Sequence, residues 1–500
     1  VKDCSIAYGG MAAVTKLAKK TSEYLIGKAF NEQTCNEAIK MLLEELPLAP
    51  NAPGGMIEYR KSLVVGFFYK FYLYTRDQIE SVSANVKSGY SCLERKVASV
   101  GNQYFEPISV GTSVGKPENV KSALLHATGE ATFLDDMPSM ENELHGCFVF
   151  STEPYAKIKK IDTTAAMKIH GVKAFISAKD VPGKNAWSEI EGADDDFVFY
   201  DKVVTNVGQR IGLIVATSRQ VAKLAASKVQ VEYEKMDGAI YTIEEAIAHQ
   251  SFYGITRKIE DGNPEQVFKQ AENDPNIRIL TGEMNIGGQE HFYFEPQCAL
   301  AIPQENKEML IYTSTQNLQR AQTTISDALG VDRSRVVCKT KRIGGGFGGK
   351  EIRSTNYSAA ASVAAHVLNK PVRIVLDRDV DMISSGQRHP FYIKYKCAVD
   401  SSSGKVLAAD FDLYNNGGYS LDLSCAVIEK AMFHIDNCYK FPNVCIKGTA
   451  CKTHIGSNTA FRAFGAPQAM IACETMIDHI ARELRIAEHK VRQINFYKAL

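Results

Sequence analysis

The chain is 500 residues long, carries a formal net charge of +1, and is 45% apolar and 23% charged. Those values describe an ordinary soluble globular protein with room for roughly three domains at about 150 residues each. They give a polyanion no electrostatic hold, so nucleic acid is not an expected partner, and the most apolar run, residues 63–69, falls far short of the ~18 residues that span a bilayer.

Helical periodicity opens the chain. Residues 11–26 set Val14, Leu17, Ala18, Thr21 and Leu25 on one face, and Thr34 reads as the cap of a second helix with Ile39, Leu42, Leu43 and Leu46 inward. A third helix, containing the 63–69 run as a buried segment, is expected from Met56 to Tyr74, after the breaker between Pro47 and Gly55. Over 75–117 the periodicity gives way to Ser, Asn, Gly and charged residues, which predicts an exposed interdomain linker. The start, Val1-Lys2-Asp3-Cys4, has no initiator methionine and no signal-peptide character, and three helices make a thin core, so further sequence is expected upstream.

Residues 118–237 read as an α/β layer. Strands are expected at 144–150, 211–216 and 229–234, with a helix capped by Ser218 whose apolar residues are Val221, Leu224 and Ala225. From 254 to 500 the pattern continues with strands near 298–302 and 309–313. A helix beyond Gln316 then buries Leu318, Ala321, Ile325 and Leu329 and closes on Gly330. A strand at 335–340, a helix at 357–366 and a strand at 372–377 follow. The last helix opens at Pro467 with Met470, Cys473, Ile477 and Ile480 as its apolar stripe, and the chain stops soon after, so continuation downstream is expected.

Twelve cysteines are scattered from Cys4 to Cys473 without a C-x-x-C pair. Cys451 and His454 are spaced like ligands, with Cys445 nearby, but no second pair completes a four-ligand set, so this chain is not expected to hold zinc or an iron–sulfur cluster. Scattered thiols fit a reducing compartment, and a cytoplasmic placement is expected, with a peroxisomal one left open.

The stretch from Gly344 to Gly349 places five glycines in six positions between a strand and a helix. Its bare backbone admits a bulky group, while unpaired amides and the positive end of the helix dipole favour an anion. Gly344-x-Gly346-x-x-Gly349 also satisfies a dinucleotide fingerprint, with the next strand ending in Asp377. A nicotinamide cofactor, another anionic cofactor and a tight corner without ligand all stay open on these residues. A second corner, 457–468, sets Arg462 between Phe461 and Phe464 at a helix entrance, either an anion-and-ring site or core packing with a salt bridge.

Five motifs in register resemble the xanthine dehydrogenase and aldehyde oxidase family of molybdenum hydroxylases, its xanthine-type branch more closely. They are Gly287-Gly288-Gln289-Glu290-His291-Phe292-Tyr293, Ser314-Thr315-Gln316-Asn317, the Gly344-to-Glu351 corner, Gly386-Gln387-Arg388-His389-Pro390 and the 457–468 corner. The resemblance implies a multidomain α/β and α+β internal fragment. Residues 1–74 would be the mostly helical carboxy-terminal part of a flavin domain, 75–117 a linker, 118–237 an α/β hammerhead domain, and 254–500 the first molybdopterin-binding α+β domain, truncated at its end. It implies molybdopterin carrying molybdenum as the cofactor here, with FAD and iron–sulfur clusters elsewhere in the full-length protein, and no direct metal ligand in this chain.

The same resemblance assigns roles. Gly345, Gly346 and Phe347 would lie along the cofactor, Gln316 and Arg462 would hydrogen-bond near the metal, and Phe464 would stack on the substrate ring. Glu351 matches the carboxylate that recognises a purine, and Lys430 stands where the xanthine-type branch carries an arginine. Lysine keeps the charge for a developing oxyanion but loses the planar fork. The implied reaction is hydroxylation of hypoxanthine- or xanthine-type purines with oxygen from water, electrons passing through iron–sulfur clusters and FAD to NAD or oxygen. The general base would lie beyond residue 500, leaving this chain inactive alone. A broad-specificity aldehyde oxidase is the alternative, so the partner is a small heterocycle or aldehyde. No membrane partner is implied, and a homodimer is.

Overall fold

The computed structural model describes residues 1–91, 118–188 and 195–498. The chain forms two compact units, Val1–Glu118 and Asn119–Leu500. Among the described residues no helix is long and apolar enough to cross a membrane.

The first unit packs helices Lys19–Leu25, Glu32–Glu45, Ile57–Ile79 and Ala84–Tyr90 around Leu25, Leu42, Leu46, Val64, Phe68 and Tyr72. Several expectations shift. Lys16–Leu17 pairs as a short strand with Ala7–Tyr8, which starts the first helix late and leaves Val14 exposed. Asn31, not Thr34, caps the second helix by accepting the Thr34 amide, and Leu43 points outward. Phe67 is 57% exposed, so the 63–69 run is buried on one face only, through Val64 and Phe68. Where it is described, the expected linker continues the third helix as far as Ile79 and forms a further helix, Ala84–Tyr90. Val86 and Tyr90, four residues apart, pack back onto the core, and Tyr90 donates to Asp77 and meets the Tyr74 ring edge-on. Its remainder, 92–117, lies outside the described residues.

In the second unit a seven-stranded mixed sheet runs Val336–Lys339, Met309–Thr313, Cys298–Pro303, Val372–Val375, Leu144–Phe150, Arg210–Ala216, Val172–Ser177. The join falls where Val372–Val375 pairs in parallel with Leu144–Phe150, so strands from before and after residue 237 share one sheet and one core. Helix Ser354–Leu368 is buried from Ser354 to Ala365, because its serines and alanines let it sit tightly on that sheet. Ser358 and Ser362 turn their hydroxyls back onto backbone carbonyls four residues earlier.

A second sheet orders Phe252–Asp261, Val444–Lys452, Val406–Gly418, Phe391–Asp400 and Ile277–Ile286, with its one parallel pairing between Val406–Gly418 and Val444–Lys452. Helices Ser424–Met432 and Ala466–Leu484 bury their apolar faces against it, and Glu488–Asn495 adds a helix that the periodicity did not single out.

Candidate cofactor and substrate site

The glycine corner lies between Val336–Lys339 and Ser354–Leu368, as its flanking patterns require. One carboxylate clasps both of its ends. Glu295 Oε2 accepts from the Gly344 amide at 2.8 Å and from the Lys350 ammonium at 3.0 Å, and the Ser314 hydroxyl donates to it at 2.5 Å. The Lys350 side chain is fully buried, with its ammonium 4.7 Å from the centre of the Tyr293 ring. Burial alone would raise the Glu295 carboxyl, yet Lys350, the Gly344 amide and Ser314 hold it below its ordinary value; at Lys350 burial wins and the ammonium is lowered.

Gln316 fills the hollow of the corner. A Cβ on Gly346 would stand 2.5 Å from Gln316 Oε1, so only glycine admits that amide. Oε1 then accepts from the Gly348 and Lys350 amides at 2.8 and 3.3 Å. These are donors that a pyrophosphate would need, so the dinucleotide fingerprint is a coincidence of spacing here. Among the described residues, the amides of Gly346 and Phe347 and the Gln316 Nε2 group donate to no protein acceptor.

The second corner is bonded to the first. The Arg462 amide donates to the Phe347 carbonyl at 2.9 Å, and Phe461 stacks on His291 with ring centres 4.5 Å apart. Arg388 binds Gln289 Oε1 at 2.8 Å and the carbonyls of Phe461 and Arg462 at 3.2 and 3.1 Å, with its guanidinium 4.1 Å from the Phe461 ring centre. All five sequence motifs thus converge. Gly465, at φ +88°, presses on the backbone of helix Ser424–Met432, where a Cβ would come within 2.1 Å of the Val427 carbonyl. That contact brings the Lys430 helix against the Phe464 turn.

The predicted site residues fall as follows. Gly345, Gly346, Phe347, Gln316 and Arg462 gather at the junction of the two corners, with Phe347 46% exposed at φ +54° and Arg462 exposed. Glu351 is half-buried one residue past the clasp, its amide donating to the Gly348 carbonyl. Phe464 is half-buried against the second core, and Lys430 is half-buried in the last turn of its helix. Among the described residues neither the Lys430 ammonium nor the Arg462 guanidinium pairs with an acid. The donors left open (two amides, a carboxamide NH2 and a guanidinium) suit a group rich in oxygen acceptors and negative charge, as an oxo-metal pterin phosphate is.

Two features escaped the sequence. Glu295 and Lys350 are paired across 55 residues, and no spacing rule joins them. The second is a buried ionic cluster of Asp196, Arg210, Arg353 and Asp422. Burial would raise Asp196, but Arg210 and Arg353 outweigh it and hold the carboxyl low. Its members come from remote parts of the chain, so no spacing rule joins them either. Of the ligand-like pair, Cys451 is buried and His454 Nδ1 accepts the Ile240 amide at 3.0 Å.

Residues 245–496 match the molybdopterin cofactor-binding domain, 128–237 the aldehyde oxidase and xanthine dehydrogenase a/b hammerhead domain, and 1–75 the CO dehydrogenase flavoprotein C-terminal domain. Xanthine dehydrogenase of Oryza sativa subsp. japonica is 45% identical, the alignment covering 99% of this chain and 36% of that protein. Xanthine dehydrogenase/oxidase of Gallus gallus is 43% identical over 99% of this chain and 37% of its own. The chain therefore spans a little over a third of the length of these curated relatives. Among solved structures, the aldehyde oxidoreductase from Desulfovibrio gigas shares the fold with a TM-score of 0.69 at 23% identity, covering 93% of this chain and 49% of that one.

Proposed function

Since the chain belongs to the molybdopterin-binding family of xanthine dehydrogenases and aldehyde oxidases, we propose that it forms one wall of a site that hydroxylates hypoxanthine- and xanthine-type purines. When bound, the molybdopterin supplies the oxidising centre that converts a C–H bond to C–OH with oxygen from water. The Gly346 and Phe347 amides, Gln316 Nε2 and Arg462 would hold that group's acceptors. Phe464 would offer its ring to the heterocycle, and Glu351 would take hydrogen bonds from purine N–H groups. Lys430 would stabilise negative charge as it builds on the purine during hydroxylation. The electrons would leave through iron–sulfur clusters and FAD to NAD or oxygen, in a homodimer.

The observation that carries the purine assignment is a half-buried carboxylate, Glu351, placed directly after the clasped corner. Lys430 favours the second reading, a broad-specificity aldehyde oxidase, because an ammonium lacks the two-pronged fork that grips a purine. Steady-state kinetics of the full-length protein separate the two. Glu351→Ala is expected to lower kcat/KM for hypoxanthine by at least about 100-fold while sparing an aromatic aldehyde. Lys430→Arg is expected to keep or raise purine turnover. Unchanged hypoxanthine turnover in Glu351→Ala would remove the purine assignment.

A further inference from the structure

The Asp196 carboxylate is 1% exposed and comes from the part of the chain that matches the hammerhead domain, yet its donors come from both sides of residue 237. It accepts from Arg210 Nη2 at 3.0 Å and Tyr200 Oη at 2.7 Å on its own side, and from Arg353 Nη1 at 2.8 Å and Asn356 Nδ2 at 3.3 Å on the other. Arg353 turns its Nε to Asp422 Oδ2 at 2.8 Å. Asp422 Oδ1 in turn accepts from Thr459 Oγ1 at 2.8 Å and from the Leu423 amide at 2.6 Å.

Each link of that chain ends on an element that carries one site residue. Arg353 lies two residues beyond Glu351, Asp422 lies two residues before the Ser424–Met432 helix that carries Lys430, and Thr459 lies three residues before Arg462. Two aspartates and two arginines balance in charge, and the exchange of charge-assisted bonds leaves their geometry little freedom. We propose that Asp196 is a positioning residue for the candidate site. Through Arg353 and Asp422 it sets the mutual placement of the elements bearing Glu351, Lys430 and Arg462. The inference rests on the roles proposed for those three residues.

The decisive comparison uses the full-length holoenzyme with Asp196→Asn, alone and combined with Arg210→Gln. The single variant leaves an unbalanced buried cation, and the double variant restores neutrality without restoring the charge-assisted bond to Arg353. The double variant is expected to melt like the parent, to lose about 10- to 100-fold in kcat/KM on whichever substrate class is turned over, and to exchange amide hydrogens faster near residues 351–356, 421–424 and 457–460. A double variant with parental melting and kcat/KM within about twofold would overturn the proposal, since neutrality alone would then be the cluster's role. If neither variant folds, Asp196→Glu keeps the charge and lengthens the arm. Lost turnover with intact melting supports positioning, and parental turnover overturns it. A parallel Glu351→Ala enzyme with unchanged kinetics on both substrate classes would remove the site assignment instead. The exchange pattern then decides alone, and faster exchange confined to residues 196–210 would overturn the inference.

Discussion

At the scale of single residues, the shape of the glycine corner depends most on Lys350. Its ammonium is the only counter-charge to Glu295 among the described ion pairs, with the Lys350 side chain fully buried and that of Glu295 10% exposed. Lys350→Met would strand a buried carboxylate and is expected to cost about 3–5 kcal/mol, measured by thermal or denaturant unfolding. His389 gives a pH signature. Burial pushes its imidazole down to about 3, and its Nε2 lies 2.8 Å from Ser424 Oγ. Because the folded pKa is depressed, the stabilisation is complete above the unfolded value of about 6.5 and drains away as pH falls toward the folded value, at up to about 1.4 kcal/mol per pH unit. Melting curves between about pH 7 and pH 5 should therefore fall more steeply for the parent than for His389→Gln. Glycine density and the Phe-Arg-Ala-Phe turn were visible as sequence. The partners that shape them, Glu295 for the corner and Arg388 for the turn, come from segments remote in the chain, and no spacing announces either pairing.

Among elements, the Ser424–Met432 helix and the 457–468 corner meet at a single glycine. Gly465→Ala introduces a side chain at φ +88° and within 2.1 Å of the Val427 carbonyl, so the turn must move off the helix. The strain alone is expected to cost about 1–3 kcal/mol. Purine turnover should fall further than stability, checked by kcat/KM against melting temperature, because Phe464 and the Lys430 helix move apart. Strands such as Leu144–Phe150 and Met309–Thr313 and the Ser218 and Gly330 helix ends were legible, since each is specified within its own residues. Residues 11–26 misled because Lys16–Leu17 is held by pairing with Ala7–Tyr8, which no helical periodicity reports. The polar run at 84–90 hid a helix that docks on the core through Val86 and Tyr90.

At the scale of the second unit, the boundary near residue 237 divides the sequence but not the sheet. Val372–Val375 sits between Cys298–Pro303 and Leu144–Phe150, and the Asp196 cluster crosses the same line. Parallel pairing between strands more than 220 residues apart leaves no signature in composition, which is why an α/β layer at 118–237 looked self-contained. The sheet and the buried ionic cluster both join residues from either side of that boundary. The most direct test of purine hydroxylation is urate formation from hypoxanthine and xanthine by the purified full-length protein containing molybdenum. Steady urate production that Glu351→Ala abolishes is the expected result, and rapid aldehyde oxidation by the same preparation with no detectable urate would contradict it.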